Sequence, residues 1–244
     1  MQRTSMSATQ TKLKWPSDAG IQLGLPNPDR SCASKPGSGP AVKQKSAEEI
    51  NDNNNRAANV RIFAVKKHRA SRLHYDFRLG WNGVLLSWAV PQGPSYCPDL
   101  SREAIEVADH DIDNIAFEGV LPEGRPGAGP IMQWDIGVWE PQEGYSDIED
   151  CLRKGCLKIT LHGEKLKGNW KISRRVGSCG NRREPVWDLI KEADSFARSK
   201  DVPSILGEKP NSITTGRTLE EIERDWNEGK DKVEPEADLF GIWT

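Results

Sequence analysis

The clearest pattern along the chain is a strict alternation from Leu73 to Leu79. Leu73, Tyr75, Phe77 and Leu79 fall on one face, and His74, Asp76 and Arg78 on the other. Successive side chains of a strand point to opposite sides, so this period of two predicts a β-strand with one buried face. Asn82-Gly83 then supplies two residues tolerant of positive φ, and Val84–Val90 is the expected returning strand of a hairpin. Residues 157–161 and 168–172 form a second candidate hairpin, joined by a charged tip, 162–167, that should be solvated. From about residue 60 to 175, short β-branched or aromatic runs are separated by punctuation such as Pro91-Gln92-Gly93-Pro94 and Gly124-Arg125-Pro126-Gly127. This predicts a mainly antiparallel β core. Trp88, Trp134, Trp139 and Trp170 stand in strand contexts and are expected inside it. Two helices are predicted to brace the sheet. One spans 146–154 with a Ser146/Glu149 capping box; the other spans 185–198, with Trp187, Ile190, Ala193 and Ala197 spaced for one buried face.

The flanks differ in kind. Residues 1–57 are rich in Ser, Asn, Lys, Pro and Gly and include the run Asn51-Asp52-Asn53-Asn54-Asn55, which predicts a disordered arm. The folded domain is expected over 58–200. An acidic tail follows over 201–244, extended except for a short helix at 218–226.

Composition narrows the function classes. The 244 residues are 36% hydrophobic and 29% charged with net charge −2, which suits one soluble domain with polar ends. No apolar run is long enough for a membrane span and no apolar signal core follows Met1, so a cytoplasmic protein is expected. Cys32, Cys97, Cys151, Cys156 and Cys179 contain no CxxC pair, which argues against a disulfide framework and a four-thiolate zinc site. Gly124, Gly127 and Gly129 lack a following Lys-Ser or Lys-Thr, so a P-loop is not supported and a tight loop is the better reading.

Of only four histidines, His68 and His74 lie within nine residues of each other and of Asp76. Two imidazoles and one carboxylate suit a borderline divalent ion such as Mn, Fe or Zn, and three protein donors leave positions open for substrate. Arg78 would set a planar cationic fork beside that ion, which points to a phosphate or carboxylate substrate. The competing structural reading is an ion-paired solvent face, with Asp76 as partner to His74 and Arg78. Basic residues at Lys66, Lys67, Arg69 and Arg72, and again at Arg153, Lys154, Lys158, Lys165, Lys167, Lys171, Arg174 and Arg175, can steer a phosphate backbone or simply be solvated.

The segment from Lys67 through His68, His74, Asp76 and Arg78 to Leu79 closely resembles the 3′-phosphoesterase domain of DNA ligase D, a repair module of bacteria and archaea. The resemblance continues in Ser87-Trp88-Ala89-Val90-Pro91, Asp109-His110, Phe117-Glu118-Gly119-Val120, Trp134-Asp135 and His162-Gly163-Glu164-Lys165-Leu166-Lys167-Gly168, and covers about 63–196. Thr215-Gly216-Arg217-Thr218-Leu219-Glu220-Glu221-Ile222 is similar to the linker that precedes the ligase domain in fused proteins, so the chain reads as a free-standing relative. The resemblance implies a compact antiparallel β-barrel with a few short helices. It implies an ion, typically manganese, at a site that removes 3′-phosphates or terminal ribonucleotides from DNA 3′ ends. By position, His68, His74 and Asp76 match the metal ligands, and Arg78 and His110 match the residues that contact phosphate. A separate ligase, polymerase or end-binding repair protein is the expected partner, at DNA ends in the nucleoid, and no membrane.

The chain departs from the family pattern at Gln92, where a lysine is usual, at Ala108 for glutamate, at Asn114 for tyrosine and at Lys66 for glutamine. Two alternatives follow. His74, Asp76 and His110 also read as the facial triad of a non-haem iron oxygenase, and a weakened phosphate pocket would leave a non-catalytic DNA-end-binding module.

Overall fold

The computed structural model describes residues 61–176 and 184–230. The expected arm, 1–57, and residues 231–244 lie outside them, as do Cys32 and Cys179.

Asn82 and Gly83 both take positive φ, 47° and 81°, the geometry that joins two twisted strands through a two-residue loop. They connect β2 (Leu73–Trp81) to β3 (Val84–Val90), with Trp81 opposite Val84 and Asp76 opposite Ala89. β1 (Ile62–Arg69) pairs with the other edge of β2. β4 (Arg102–Asp111), β5 (Gly119–Leu121) and β6 (Gly129–Pro141) follow. The hairpin of β7 (Cys156–Gly163) and β8 (Lys167–Arg174) comes next, and then β9 (Val186–Lys191). The order β1-β2-β3-β4-β9-β8-β7-β6, with β6 returning to β1, closes an eight-stranded antiparallel barrel, and β5 lies against one end of β6.

Directly opposed residues share a face of the sheet. Val65 stands opposite Phe77, Phe77 opposite Trp88, Trp187 opposite Ala104, Ile172 opposite Leu189, and Trp139 opposite Leu161. These inward residues are buried, and Trp134 and Trp170 join them as expected. The same rule sends Ala64, Arg78 and Ser87, and likewise Lys66, Asp76 and Ala89, to the outer face. That outer face is covered. Between β4 and β6 the chain makes a 3-10 turn (Ile112–Ala116), β5 and the 122–128 loop, and this excursion roofs the outer side of β1 and β2.

The first predicted helix is present as α1 (Ile148–Lys154), but its cap is Asp147, which accepts from Asp150 N at 3.0 Å, rather than Ser146. The second is not a helix. Residues 186–191 form β9, which closes the barrel by pairing with both β4 and β8. The inward positions of β9 are Trp187, Leu189 and Lys191, and the lysine disguises the alternation. Its ammonium is accommodated by the carbonyls of Asn169 and Glu192 and the carboxylate of Asp194.

The 162–167 tip is not solvated throughout, because Lys165 and Leu166 are buried. Asp135, fully buried, accepts from the backbone N–H groups of Lys165 (2.9 Å) and Leu166 (2.7 Å) and so folds the tip inward. Nor is 201–230 an extended tail. α2 (Ile205–Glu208) and α3 (Leu219–Asn227, with Thr218 and Glu221 in a capping box) place Ile205, Leu219 and Ile222 in the core. Among the described residues no helix is long and apolar enough to cross a membrane.

Candidate metal and phosphate site

β1 and β2 bring the three expected donors together on the outer face. His68 lies opposite His74 in the ladder, with ring centroids 4.7 Å apart, and Asp76 follows two residues along β2. His68 Nδ1 is 3.6 Å from one Asp76 oxygen, and His74 Nε2 is 3.3 Å from the other. One donor atom from each of the three residues lies within 4.8 Å of the rest.

The far side of each ring fixes which nitrogen faces inward. His68 Nε2–H donates to the Gly127 carbonyl at 2.8 Å, and His74 Nδ1–H donates to the Arg72 carbonyl at 3.0 Å. With the outer nitrogen of each ring carrying the N–H of a neutral imidazole, His68 Nδ1 and His74 Nε2 are the nitrogens whose lone pairs a cation beside Asp76 would take; a proton there bonds the Asp76 carboxylate instead. Outer hydrogen bonds of this kind orient metal-ligating histidines. The donor set therefore fits a borderline divalent ion with open positions. Burial pushes the Asp76 carboxyl up, but the two histidines and the Arg78 charge outweigh it and hold it well below the usual carboxylate range. Burial opposes charge on His74, yet its bond to Asp76 and that carboxylate's charge raise it.

Arg78, buried on the same face, reaches Asp76 with Nη2 at 3.3 Å, while its Nε has no hydrogen-bond partner. A buried guanidinium with a donor unspent is chemically suited to a second anion. Beside it stands Ser87, opposite Arg78 in the ladder. The Ser87 hydroxyl donates to the Leu85 carbonyl at 2.7 Å, so its oxygen is left to accept from His110 Nδ1–H at 3.2 Å. That leaves His110 Nε2 with the lone pair. Burial, helped by the Arg78 charge, pushes this imidazole down to about 4, so it is neutral near pH 7.

His110 reaches the site only through a β-bulge. Ser87 pairs with Val107 but Leu85 pairs with His110, so β4 carries one residue more than β3 between the two pairs. Without that extra residue the alternation would turn His110 to the barrel interior. The oxygenase alternative needed His110 as a donor beside His74 and Asp76. Among the described residues the converging group takes His68 instead, and His110 is turned to Ser87.

Lys66 forms the floor under the roof, 1% exposed, and donates to the carbonyls of Asn114 (2.7 Å) and Phe117 (2.6 Å). Burial, with the Arg78 charge, lowers its pKa well below the ordinary value. Of the other departures, Gln92 accepts from Arg102 at 2.8 Å and Asn114 lends its carbonyl to Lys66. Arg69, expected in a basic stripe, is engaged by Glu220 and Glu223 of α3. The sequence pattern does not mark Ser87 or Gly127 as site residues. The two-residue turn at Asn82-Gly83 already set Ser87 opposite Arg78, whereas nothing local points to Gly127.

Residues 66–174 match the family described as the DNA Ligase D 3′-phosphoesterase domain. The chain is 45% identical over 157 residues, 64% of its length, to the multifunctional non-homologous end joining protein LigD of Pseudomonas aeruginosa. It is 36% identical over 115 residues, 47% of its length, to the LigD DNA repair protein of Mycobacterium tuberculosis. It is 35% identical over 153 residues, 57% of its length, to LigD of Mycolicibacterium smegmatis. These matches span 18%, 15% and 20% of the relatives' own lengths, so the chain corresponds to about a fifth or less of each. The matched span runs from the floor lysine through all three donors, Arg78 and His110 to the end of β8, so the whole of the candidate site lies within the residues that match the DNA ligase D 3′-phosphoesterase domain family.

Proposed function

We propose that this chain is a metal-dependent DNA 3′-end phosphoesterase, a hydrolase removing 3′-phosphates or terminal 3′-ribonucleotides to leave a 3′-OH for repair synthesis or ligation. The observation that carries the reading is the convergence of His68 Nδ1, His74 Nε2 and Asp76 beside a buried arginine with a donor to spare. His68, His74 and Asp76 would hold the ion, manganese in this proposal, which when bound supplies Lewis acidity to the reacting phosphoryl group. Arg78 binds the phosphoryl oxygens and offsets the charge that grows on them as the P–O3′ bond breaks. His110, neutral, would take at Nε2 a proton from the attacking water as its oxygen bonds phosphorus and the P–O3′ bond breaks, and return that proton to the 3′ oxygen, which departs as the 3′-OH. Exposed Arg72, on the turn that leads into β2 beside His74, favours a polyanionic strand. DNA ends are thus the proposed partner, with a ligase, polymerase or end-binding protein acting before or after.

The test is a 3′-phosphorylated primer–template incubated with the chain and Mn²⁺. A 3′-OH product is expected, and Asp76→Ala or His74→Ala should abolish it. Intact substrate held tightly by the protein would replace this reading with that of an end-binding module, to which the departures at Gln92, Ala108 and Asn114 lend support.

A further inference from the structure

β6 has a gap along one edge. On the side away from β1 it pairs with β5 through 129–131 and with β7 through 137–141, and among the described residues no strand lies against 132–136. The gap is filled by the segment between α2 and α3. Ile213 N donates to the Gln133 carbonyl at 3.0 Å, and Trp134 Nε1 to the Lys209 carbonyl at 2.8 Å. Lys165, its ammonium over the Trp134 ring, donates to the carbonyls of Lys209 and Asn211. The opposite half of the closure is Glu118, from the roof. Its carboxylate, 5% exposed, accepts from Gln133 N (2.8 Å), Ser212 Oγ (2.6 Å) and Thr215 Oγ1 (2.6 Å), with Arg217 at 3.8 Å. Next to it, Phe117 gives its carbonyl to Lys66, and the same excursion carries Gly127, whose carbonyl orients His68.

We infer that residues 209–225 are a latch on the site, and that Glu118 is a positioning residue acting through the roof on His68 and Lys66. The inference rests on the metal-site reading above and adds to it a dependence on a segment that lies beyond the matched family span. A carboxylate that gathers a backbone N–H of β6 and two hydroxyls of the latch ties three pieces of chain at one point. Loss of that node frees the roof without touching any proposed ligand.

The test uses the full chain with Glu118→Gln and, separately, the double change Ser212→Ala with Thr215→Val, which leaves the roof's own residues in place. Amide hydrogen exchange, Mn²⁺ titration and turnover on a 3′-phosphorylated primer–template are compared well below the melting temperature. Both variants should exchange faster over 117–128, bind Mn²⁺ about tenfold more weakly and lose kcat more than KM. Exchange in the β2–β3 hairpin should be unchanged. Roof exchange and Mn²⁺ affinity equal to those of the unaltered chain would overturn the latch. Failure of the unaltered chain to bind Mn²⁺ would instead strike the metal-site reading, and the exchange data would still decide the latch.

Discussion

A single hydroxyl sets the state of His110. Because Ser87 spends its proton on Leu85, its oxygen can only accept, and the imidazole must turn Nδ1–H toward it. Ser87→Ala removes that acceptor while leaving the buried strand intact. It should cut kcat about tenfold with KM nearly unchanged and melting within a few degrees, measured by steady-state turnover and calorimetry. The same imidazole predicts a pH dependence of stability. Its folded pKa of about 4 lies below the usual 6.5, so the unfolded chain binds the extra proton first as pH falls. His110 therefore contributes stability that is complete above pH 6.5 and is lost between about 6.5 and 4. Denaturant unfolding at pH 7 and pH 4.5 should show a smaller acid loss in His110→Gln than in the unaltered chain. Equal losses would mean that the imidazole is not held neutral. That His110 belongs to the site at all was implied by resemblance, since the bulge in β4 reverses the face that simple alternation assigns.

Elements were legible where one pattern governed them. The β2–β3 hairpin follows from alternation plus Asn82-Gly83, and the hairpin register then places Arg78 beside Ser87. Its outer face was harder, because His74, Asp76 and Arg78 read equally as a solvated, ion-paired strand until the roof is known to cover them. β9 failed because its inward lysine breaks the apolar period and leaves Trp187 and Ile190 at helical spacing. The β7–β8 tip failed for a related reason. Its charged residues predict water, but Asp135, distant in sequence, supplies the acceptors that allow Lys165 and Leu166 to be buried. Asp135→Asn presents an amide N–H₂ to one of those two backbone donors and leaves it unpaired. The expected cost is about 1–3 kcal/mol, seen as a melting temperature lower by about 5 °C. Burial pushes the Asp135 carboxyl up to about 6, the opposite sense to His110. Its stabilising contribution is full below the usual 3.8 and disappears as pH rises through 6, so the destabilisation by Asn should shrink between pH 4 and pH 7.

At the scale of the whole molecule, the closed barrel separates folding from chemistry. The core lies inside the strands and the donors lie outside them, so the same strands β1 and β2 serve both through alternate residues. Ion binding should consequently add stability without creating the fold. An ion that binds only the folded state at a hundred times its Kd contributes about 2.7 kcal/mol, which for a domain of this size corresponds to about 5–10 °C in melting temperature. Chelation with EDTA should therefore leave the far-ultraviolet circular dichroism of the barrel unchanged and lower the melting temperature by that amount relative to saturating Mn²⁺. In Asp76→Asn the Mn²⁺-dependent increment should vanish, because the site keeps its imidazoles but loses its only carboxylate. Loss of β-structure on chelation would mean that the ion organises β1 and β2 themselves. An increment that survives Asp76→Asn would place the ion elsewhere and remove the ground for reading Arg78 and His110 as its neighbours.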